Sequence, residues 1–406
     1  MQQETIDYII SFLLYGDKDA AKKVGYTADS DEGKKYKVVI KPSENSPLIN
    51  PEKNWQDFYP EVERIILSRC MSDDMDIISF VCFFLSRAEE TIINQRDQHG
   101  RFLACHSLLG KHNLLNIPLI DEYSRHLLKR LGRPLPEQKI SNVNLTHDVD
   151  CLCRYRSIRG FAGGIKRGKI SEALSALKDR RNDPAWTFEW LTKEDNKIHG
   201  EQIYFLKAGN GKIYDYPQYD LFGSDCKAML SLIKSNGAKI GLHVSYAAGE
   251  WSGPRPLMQT EKQLLERAID EQIYLSRHHY LRSTSIDNMQ QLADIGITDD
   301  YTMGFADRAG FRMLTCRPVR WINPKTLKVT NLTLHPLTVM DCTLSSEKYM
   351  NLTEDEAYYI CEQLIDKTCQ NSGELTLLWH NDTLNTSYHR SLYSSLIAYI
   401  SKNYNG

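Results

Sequence analysis

The sequence predicts a two-part α/β protein: a smaller α+β unit over residues 1–138, then a larger unit over 139–406 in which strands and helices alternate. Strand-like segments at Val143–Leu145, Gln202–Leu206, Lys239–His243, Leu337–Asp341 and Leu375–His380 are separated by helical patterns at Asp225–Asn236, Thr260–Asp270, Met289–Ala293 and Thr353–Thr368. Such alternation argues for parallel strands with crossover helices, in an α/β barrel or a doubly wound sheet. Between the units, Gly132-Arg133-Pro134-Leu135-Pro136 ends a helical pattern and stiffens the connection. At 406 residues the chain is long enough for two substantial cores.

In the first unit, Tyr8 to Tyr15 is apolar, but Glu4 and Asp7 stand where an export signal needs basic residues, and no small-residue cleavage site follows. The segment is expected to be a core helix or strand. Tyr36–Ile40 reads as a short strand, followed by a polar, Pro-containing stretch from Lys41 to Asn54. Met75, Ile78, Cys82 and Leu85 recur at helical spacing, and Phe80, Phe83 and Phe84 widen their apolar face, so that helix is expected to be well buried. The charged residues from Ser86 to Phe102 read as a solvated helix face and loop. A further helix is expected from about Ile120 to Leu131.

The formal net charge of −2 gives no reason to expect nucleic acid or a general attraction to anionic membrane. No apolar run approaches the roughly 18 to 20 residues that span a bilayer. Nothing in the pattern specifies an oligomer. Ten cysteines are scattered without a Cys-x-x-Cys, and Cys151-x-Cys153 is an unusual spacing for structural zinc. Buried free thiols and a cytoplasmic location are the expectation. Arg154 to Arg159, continuing to Lys166-Arg167, is a basic cluster with aromatic neighbours; a solvated face is the ordinary reading, an anionic substrate or phosphate the alternative. Gly160-Phe161-Ala162-Gly163-Gly164 lacks the register of a dinucleotide-binding loop.

The segment that carries chemistry is Thr146-His147-Asp148-Val149-Asp150, directly after the first strand of the second unit. Residues two apart on a strand share a face, so the two carboxylates are held together, which is costly unless a cation lies beside them. His243 and His380 close two further strands, and in parallel α/β sheets chemistry gathers at the carboxyl ends. Asp150 and His243 suit a divalent ion such as zinc with an open position for water. Asp148 is then the candidate base and His380 the candidate acid. Taken singly, each of these is equally a hydrogen-bonded core or turn residue.

These residues resemble the NodB-type polysaccharide deacetylases. Leu145 to Asp150 is similar to their first motif in its Asp-Val-Asp form, and Gly241-Leu242-His243-Val244-Ser245-Tyr246 to their histidine motif. Ser276-Arg277-His278-His279-Tyr280-Leu281-Arg282 falls where the family has an Arg-x-x-Tyr segment. Leu377-Leu378-Trp379-His380 resembles the final strand bearing the acid histidine. Gly304-Phe305 and Gly310-Phe311-Arg312 resemble a sub-branch found in bacterial surface-polysaccharide loci, which carries an extra N-terminal domain like the Ser86 to Phe102 region. The resemblance implies a distorted (β/α) barrel of about seven units after the N-terminal α+β domain. It implies metal-dependent hydrolysis of an N- or O-acetyl group on a sugar, oligosaccharide or lipid-linked glycan.

Carried over, Asp148 is the base, Asp150 and His243 metal ligands, His380 the general acid, and Arg277 the brace of Asp148. Tyr280 is expected to line the acetyl or sugar pocket. Tyr246 and Trp379 are candidate stacking rings, and Arg312 a candidate contact to an anionic substituent. The metal expected first is zinc, with cobalt, nickel or manganese as alternatives. One departure matters: the family's second histidine, four residues after the first, is Ala247 here. His279 is the best replacement as third ligand; His147 is weaker, since alternation turns it away. Two competing readings follow: a catalytically weakened carbohydrate-binding protein on the same fold, or an amide hydrolase with a non-sugar substrate.

Overall fold

The computed structural model describes residues 2–69, 72, 74–209, 213–250 and 257–404. The first part is mainly helical, with helices Gln2–Leu13, Trp55–Ser68, Ile77–Leu85 and Leu119–Leu131 around a small parallel pair, β1 (Val24–Tyr26) and β2 (Val38–Ile40). Ile77–Leu85 is buried at every position, as its all-round apolar sequence requires. Leu119–Leu131 ends where Gly132 takes φ +68, a left-handed cap open to glycine at little cost. Helices of this part pack directly on the larger sheet, Ile77–Leu85 on one edge strand and Gln2–Leu13 on its neighbour.

The larger sheet has nine strands: β3 (Asn142–Val149), β4 (Glu201–Lys207), β5 (Lys239–Val244), β6 (Leu275–His278), β7 (Asp299–Met303), β8 (Val319–Asn323), β9 (Lys328–Pro336), β10 (Val339–Met340) and β11 (Glu374–Leu378). Their order is β10-β11-β3-β4-β5-β6-β7-β9-β8, parallel throughout except for the antiparallel β8–β9 pair. The sheet curls into a half-barrel. Arg277 on β6 reaches Thr146 and Asp148 on β3 at 2.8 and 3.0 Å across the interior. His335 on β9 bridges Asp299 on β7 and Glu374 on β11 at 2.9 and 2.6 Å. Crossover helices Ser224–Ser235, Leu257–Ile269, Ile286–Asp294 and Glu354–Gln370 follow the expected patterns closely.

The Ser86 to Phe102 segment corrects the expectation of a solvated face. Glu90 is buried between Arg87 and Arg312, with 2.6 Å contacts to both, and Arg87 also bonds the Oγ and carbonyl of Ser283. Burial by itself would raise the Glu90 pKa, but the two guanidiniums outweigh it and hold it at about 2. Charged residues can be buried here because the local pairs Arg87–Glu90 and Asp97–Arg101 are completed across the boundary with the barrel by Arg312, Ser283 and Tyr280, partners that short-range sequence pattern does not carry. Among the described cysteines none forms a disulfide; most are buried, Cys105 is exposed, and Cys70 lies outside the described residues. No helix among the described residues is long and apolar enough to cross a membrane.

Candidate metal and active site

Strand alternation builds the site. Asp148 and Asp150 point inward from the end of β3, and His147, immediately before them, points out, bonded to Asp195 and the Trp379 carbonyl. The same alternation at the end of β6 turns Arg277 inward onto Asp148 and His279 inward onto Asp150. Phe205 and Lys207 are two apart at the end of β4, and His243 pairs with Lys207 in the β4–β5 register. Arg277 lies over the Phe205 ring at 4.6 Å. That ring occupies space left by Gly241, where a Cβ would come within 2.4 Å of it.

Three ligand atoms converge. Asp150, His243 and His279 each offer one, all within 4.8 Å of one another. The Nε2 atoms of His243 and His279 lie 3.3 and 3.2 Å from Asp150 Oδ1. Each imidazole is held from behind. His243 Nδ1 is 3.0 Å from the Arg277 carbonyl, so it carries the proton and leaves Nε2 as a free donor atom for an ion. His279 Nδ1 is 3.1 Å from Asp215 Oδ1, the carboxylate–histidine arrangement typical of metal ligands. Both Asp150 Oδ1 and His243 Nε2 are buried and without a hydrogen-bond partner. Burial would raise the Asp150 pKa, but neighbouring His279, His243 and Lys207 outweigh it and hold the carboxyl well below its usual range.

The substituted position is accounted for locally. Ala247 contributes its backbone N–H to Asp215 Oδ2 at 3.3 Å, and Tyr246 its N–H to Oδ1 at 2.6 Å. Asp215, fixed in this way, orients His279. A backbone-anchored carboxylate therefore stands behind His279, and the position where the resemblance implied a second histidine is held by an alanine that helps anchor it.

Asp148 sits beside this triad with Oδ1 on Arg277 and Oδ2 3.5 Å from His243 Nε2. Opposite it, His380 follows β11 and presents Nε2 at 3.7 Å from Asp150 Oδ2. Its Nδ1 is 2.8 Å from Asp341, whose other oxygen takes the His380 backbone N–H and the Thr383 hydroxyl. Burial would lower the His380 pKa; the Asp341 carboxylate outweighs it and holds the imidazole well above its ordinary value.

Two predicted contacts change. Trp379 is fully buried against Tyr393, on the opposite alternation from His380, and offers no ring to the cleft. Arg312 is committed to Glu90 and to the Gly304 carbonyl in the buried cluster, so it is a packing cation rather than a substrate contact. Tyr246 is largely buried, under the Arg282 guanidinium at 4.1 Å and against Tyr214 at 4.5 Å. Tyr280 is partly exposed at the rim beside His279.

Sequence reasoning missed Asp215, Asp341, Lys207 and the wall from the first part of the chain. Lys207 Nζ is 3.9 Å from Asp150 Oδ1 and bonds the carbonyls of Asp215 and Pro217. The turn after His279 places Tyr280 and Leu281 at φ +62 and +52, a left-handed pair costing roughly 1–3 kcal/mol per residue. It is pinned from the first part: Arg101 donates to the Tyr280 carbonyl and the Tyr349 hydroxyl, and Arg282 donates to the His99 carbonyl. His99, Tyr214, Tyr246 and Tyr280 form a ring cluster there. Asp341 carried a signal, a carboxylate at the end of a predicted strand; Asp215 carried none.

Residues 9–136 match a family of unknown function, DUF7033. No curated protein matches the chain. Among solved structures, a Mycobacterium smegmatis protein provisionally called a polysaccharide deacetylase is similar, with a TM-score of 0.45 at 14% identity, over 66% of this chain and 87% of that one. Puue allantoinase is similar with a TM-score of 0.44 at 12% identity, over 68% of this chain and 90% of that one. At such scores and identities the likeness says nothing about activity.

Proposed function

We propose that the protein is a metal-dependent hydrolase that removes an acetyl group from a sugar or polysaccharide precursor. The observation that carries this reading is the convergence of buried Asp150 Oδ1 and His243 Nε2, 3.3 Å apart and neither with a hydrogen-bond partner, with His279 beside a braced carboxylate. One carboxylate and two imidazoles, each imidazole fixed through its other nitrogen, suit zinc with an open position. Asp150, His243 and His279 would hold a divalent cation, and the chemistry it would supply there is Lewis acidity toward a water and a carbonyl oxygen.

The chain's own groups do the rest. Asp148, oriented by Arg277, accepts the proton of the attacking water. His380 keeps its proton through Asp341 and delivers it from Nε2 to the departing sugar nitrogen or oxygen, so that acetate leaves. Lys207 stabilises the charge on Asp150. Tyr280, Tyr214 and Tyr349, with Arg101 behind them, give the cleft an aromatic rim on which the apolar face of a sugar can rest. The first part of the chain thereby supplies one wall.

The test is acetate release from N- and O-acetylated sugars by the full chain after zinc or cobalt addition, beside an Asp148→Asn variant. The reading expects release by the wild type and a loss of about a thousandfold in the variant with metal retained. No release from any acetylated sugar by metal-loaded wild type, or normal turnover by Asp148→Asn, overturns it.

A further inference from the structure

Directly after Asp150 the chain leaves the barrel rim as a helical hairpin, Ile158–Lys166 and Ile170–Lys178. Its amphipathic pattern is inverted. The second helix turns its small residues, Ala173 and Ala176, into a cluster with Tyr155, while Ile170, Leu174 and Leu177, at i, i+4 and i+7, face outward and are each about half exposed. On the first helix Ile158 is 91% exposed and Ile165 about half. A globular protein normally buries its large apolar residues and exposes the small or polar ones. A row of exposed Ile and Leu on adjacent helices is a patch in want of a partner.

The patch is framed by charge of one sign. From Arg154 to Arg181, nine residues are Lys or Arg and only Glu172 and Asp179 are acidic, a local net charge of +7 in a chain of net −2. The two acids are already paired, with Lys169 and Arg181. Arg159, Lys166, Arg167 and Lys178 are exposed, and none forms an ion pair with an acidic side chain among the described residues. The surface continues toward the cleft. Arg159 lies over the exposed ring of Tyr216 at 5.3 Å, Ile213 is 77% exposed beside it, and Tyr214 touches Tyr280 at the rim of the site.

We propose that this hairpin is an interfacial anchor that docks the mouth of the cleft on an anionic lipid bilayer. Exposed Ile and Leu on one face, flanked by Lys and Arg and by aromatic rings, is the composition that lies in a headgroup layer without crossing it. The unpaired cations select anionic lipid over zwitterionic lipid, and salt weakens them. The local charge, not the near-neutral total, sets this attraction. If the hydrolase reading holds, the consequence is a substrate presented at the membrane surface, such as a lipid-linked glycan.

The test reads binding, not activity, so it stands or falls apart from the hydrolase reading. The full chain is floated with phosphatidylcholine vesicles and with vesicles containing about one-third phosphatidylglycerol. The expected result is roughly tenfold more protein on the anionic vesicles at low salt, falling sharply at about 0.5 M salt. Ile158→Ser with Leu174→Ser, and separately Lys166→Glu with Arg167→Glu, each lower that bound fraction by roughly tenfold, with the melting temperature unchanged because all four side chains are exposed. Wild type that stays soluble beside anionic vesicles, or variants that bind like wild type, overturns the proposal. So does a dimer in sedimentation velocity that the Ile158/Leu174 change abolishes while vesicles remain unbound, which assigns the face to a second copy of the chain.

Discussion

Two buried charged clusters sit a short way apart in this molecule and differ in one respect. Around Glu90, every charge found has its counter-charge: Arg87 and Arg312 on the carboxylate, Ser283 on the remaining guanidinium donors. Around Asp150, charges and imidazoles gather just as densely, yet Asp150 Oδ1 and His243 Nε2 are left without a hydrogen-bond partner. Folding does not leave buried polar atoms orphaned without reason, since each costs about 1–3 kcal/mol. The satisfied cluster is read as structure, and the other, where unpaired atoms coincide with a carboxylate and two imidazoles converging on one point, as the proposed site. The Asp299–His335–Glu374 bridge, closed on both imidazole nitrogens, belongs with the first kind.

The largest effect expected on the site side is at Asp148. Asp148→Asn lowers turnover by about a thousandfold while zinc content stays that of wild type; loss of the metal along with the activity would move Asp148 into the ligand set. On the structural side, Glu90→Ala leaves two buried guanidiniums unpaired and costs about 3–5 kcal/mol in denaturant unfolding, with metal content unchanged. A cost below about 1 kcal/mol there would erase the distinction between the clusters.

The bridge across the sheet gives a pH signature. Burial would lower the His335 pKa, but Asp299 and Glu374 outweigh it and raise it to about 9. A raised histidine contributes stability that is fully present below its unfolded pKa, near 6.5, and is lost as pH rises through about 9. Stability therefore falls between pH 7 and pH 10 by an amount on the order of 3 kcal/mol, the melting temperature falls with it, and His335→Gln removes that part of the slope. The smallest effect expected is at Asp215. Asp215→Asn lowers zinc affinity by roughly 10- to 100-fold by loosening His279, without abolishing binding. Unchanged affinity would detach Asp215 from the site.

Legibility in the sequence followed the physics of each element. Helices such as Leu119–Leu131 and Glu354–Gln370, and the strand bearing Asp148, were visible because one face is apolar at the right period. Strands β6 and β7 were missed as strands because they carry buried polar residues on both faces, Arg277 on the inner one and Ser276, Asp300 and Thr302 on the outer one, which find their partners only once neighbouring strands are in place. The same cause misdirected the reading of Arg87 to Arg101, whose partners lie about two hundred residues away. At the site, Asp148, Asp150, His243, His279 and His380 could be named from strand-end position and resemblance. Asp215 lies in an irregular loop with no period, and its role exists only once Ala247 and His279 are brought to it.

The central claim, that Asp150, His243 and His279 hold a divalent ion, is tested most directly by counting metal. Wild type and His279→Ala are dialysed with zinc, freed of excess, and analysed by inductively coupled plasma mass spectrometry. The account predicts about one zinc per wild-type chain and less than about a tenth of that in the variant. A wild type that retains no metal, or a variant that retains as much as wild type, contradicts it.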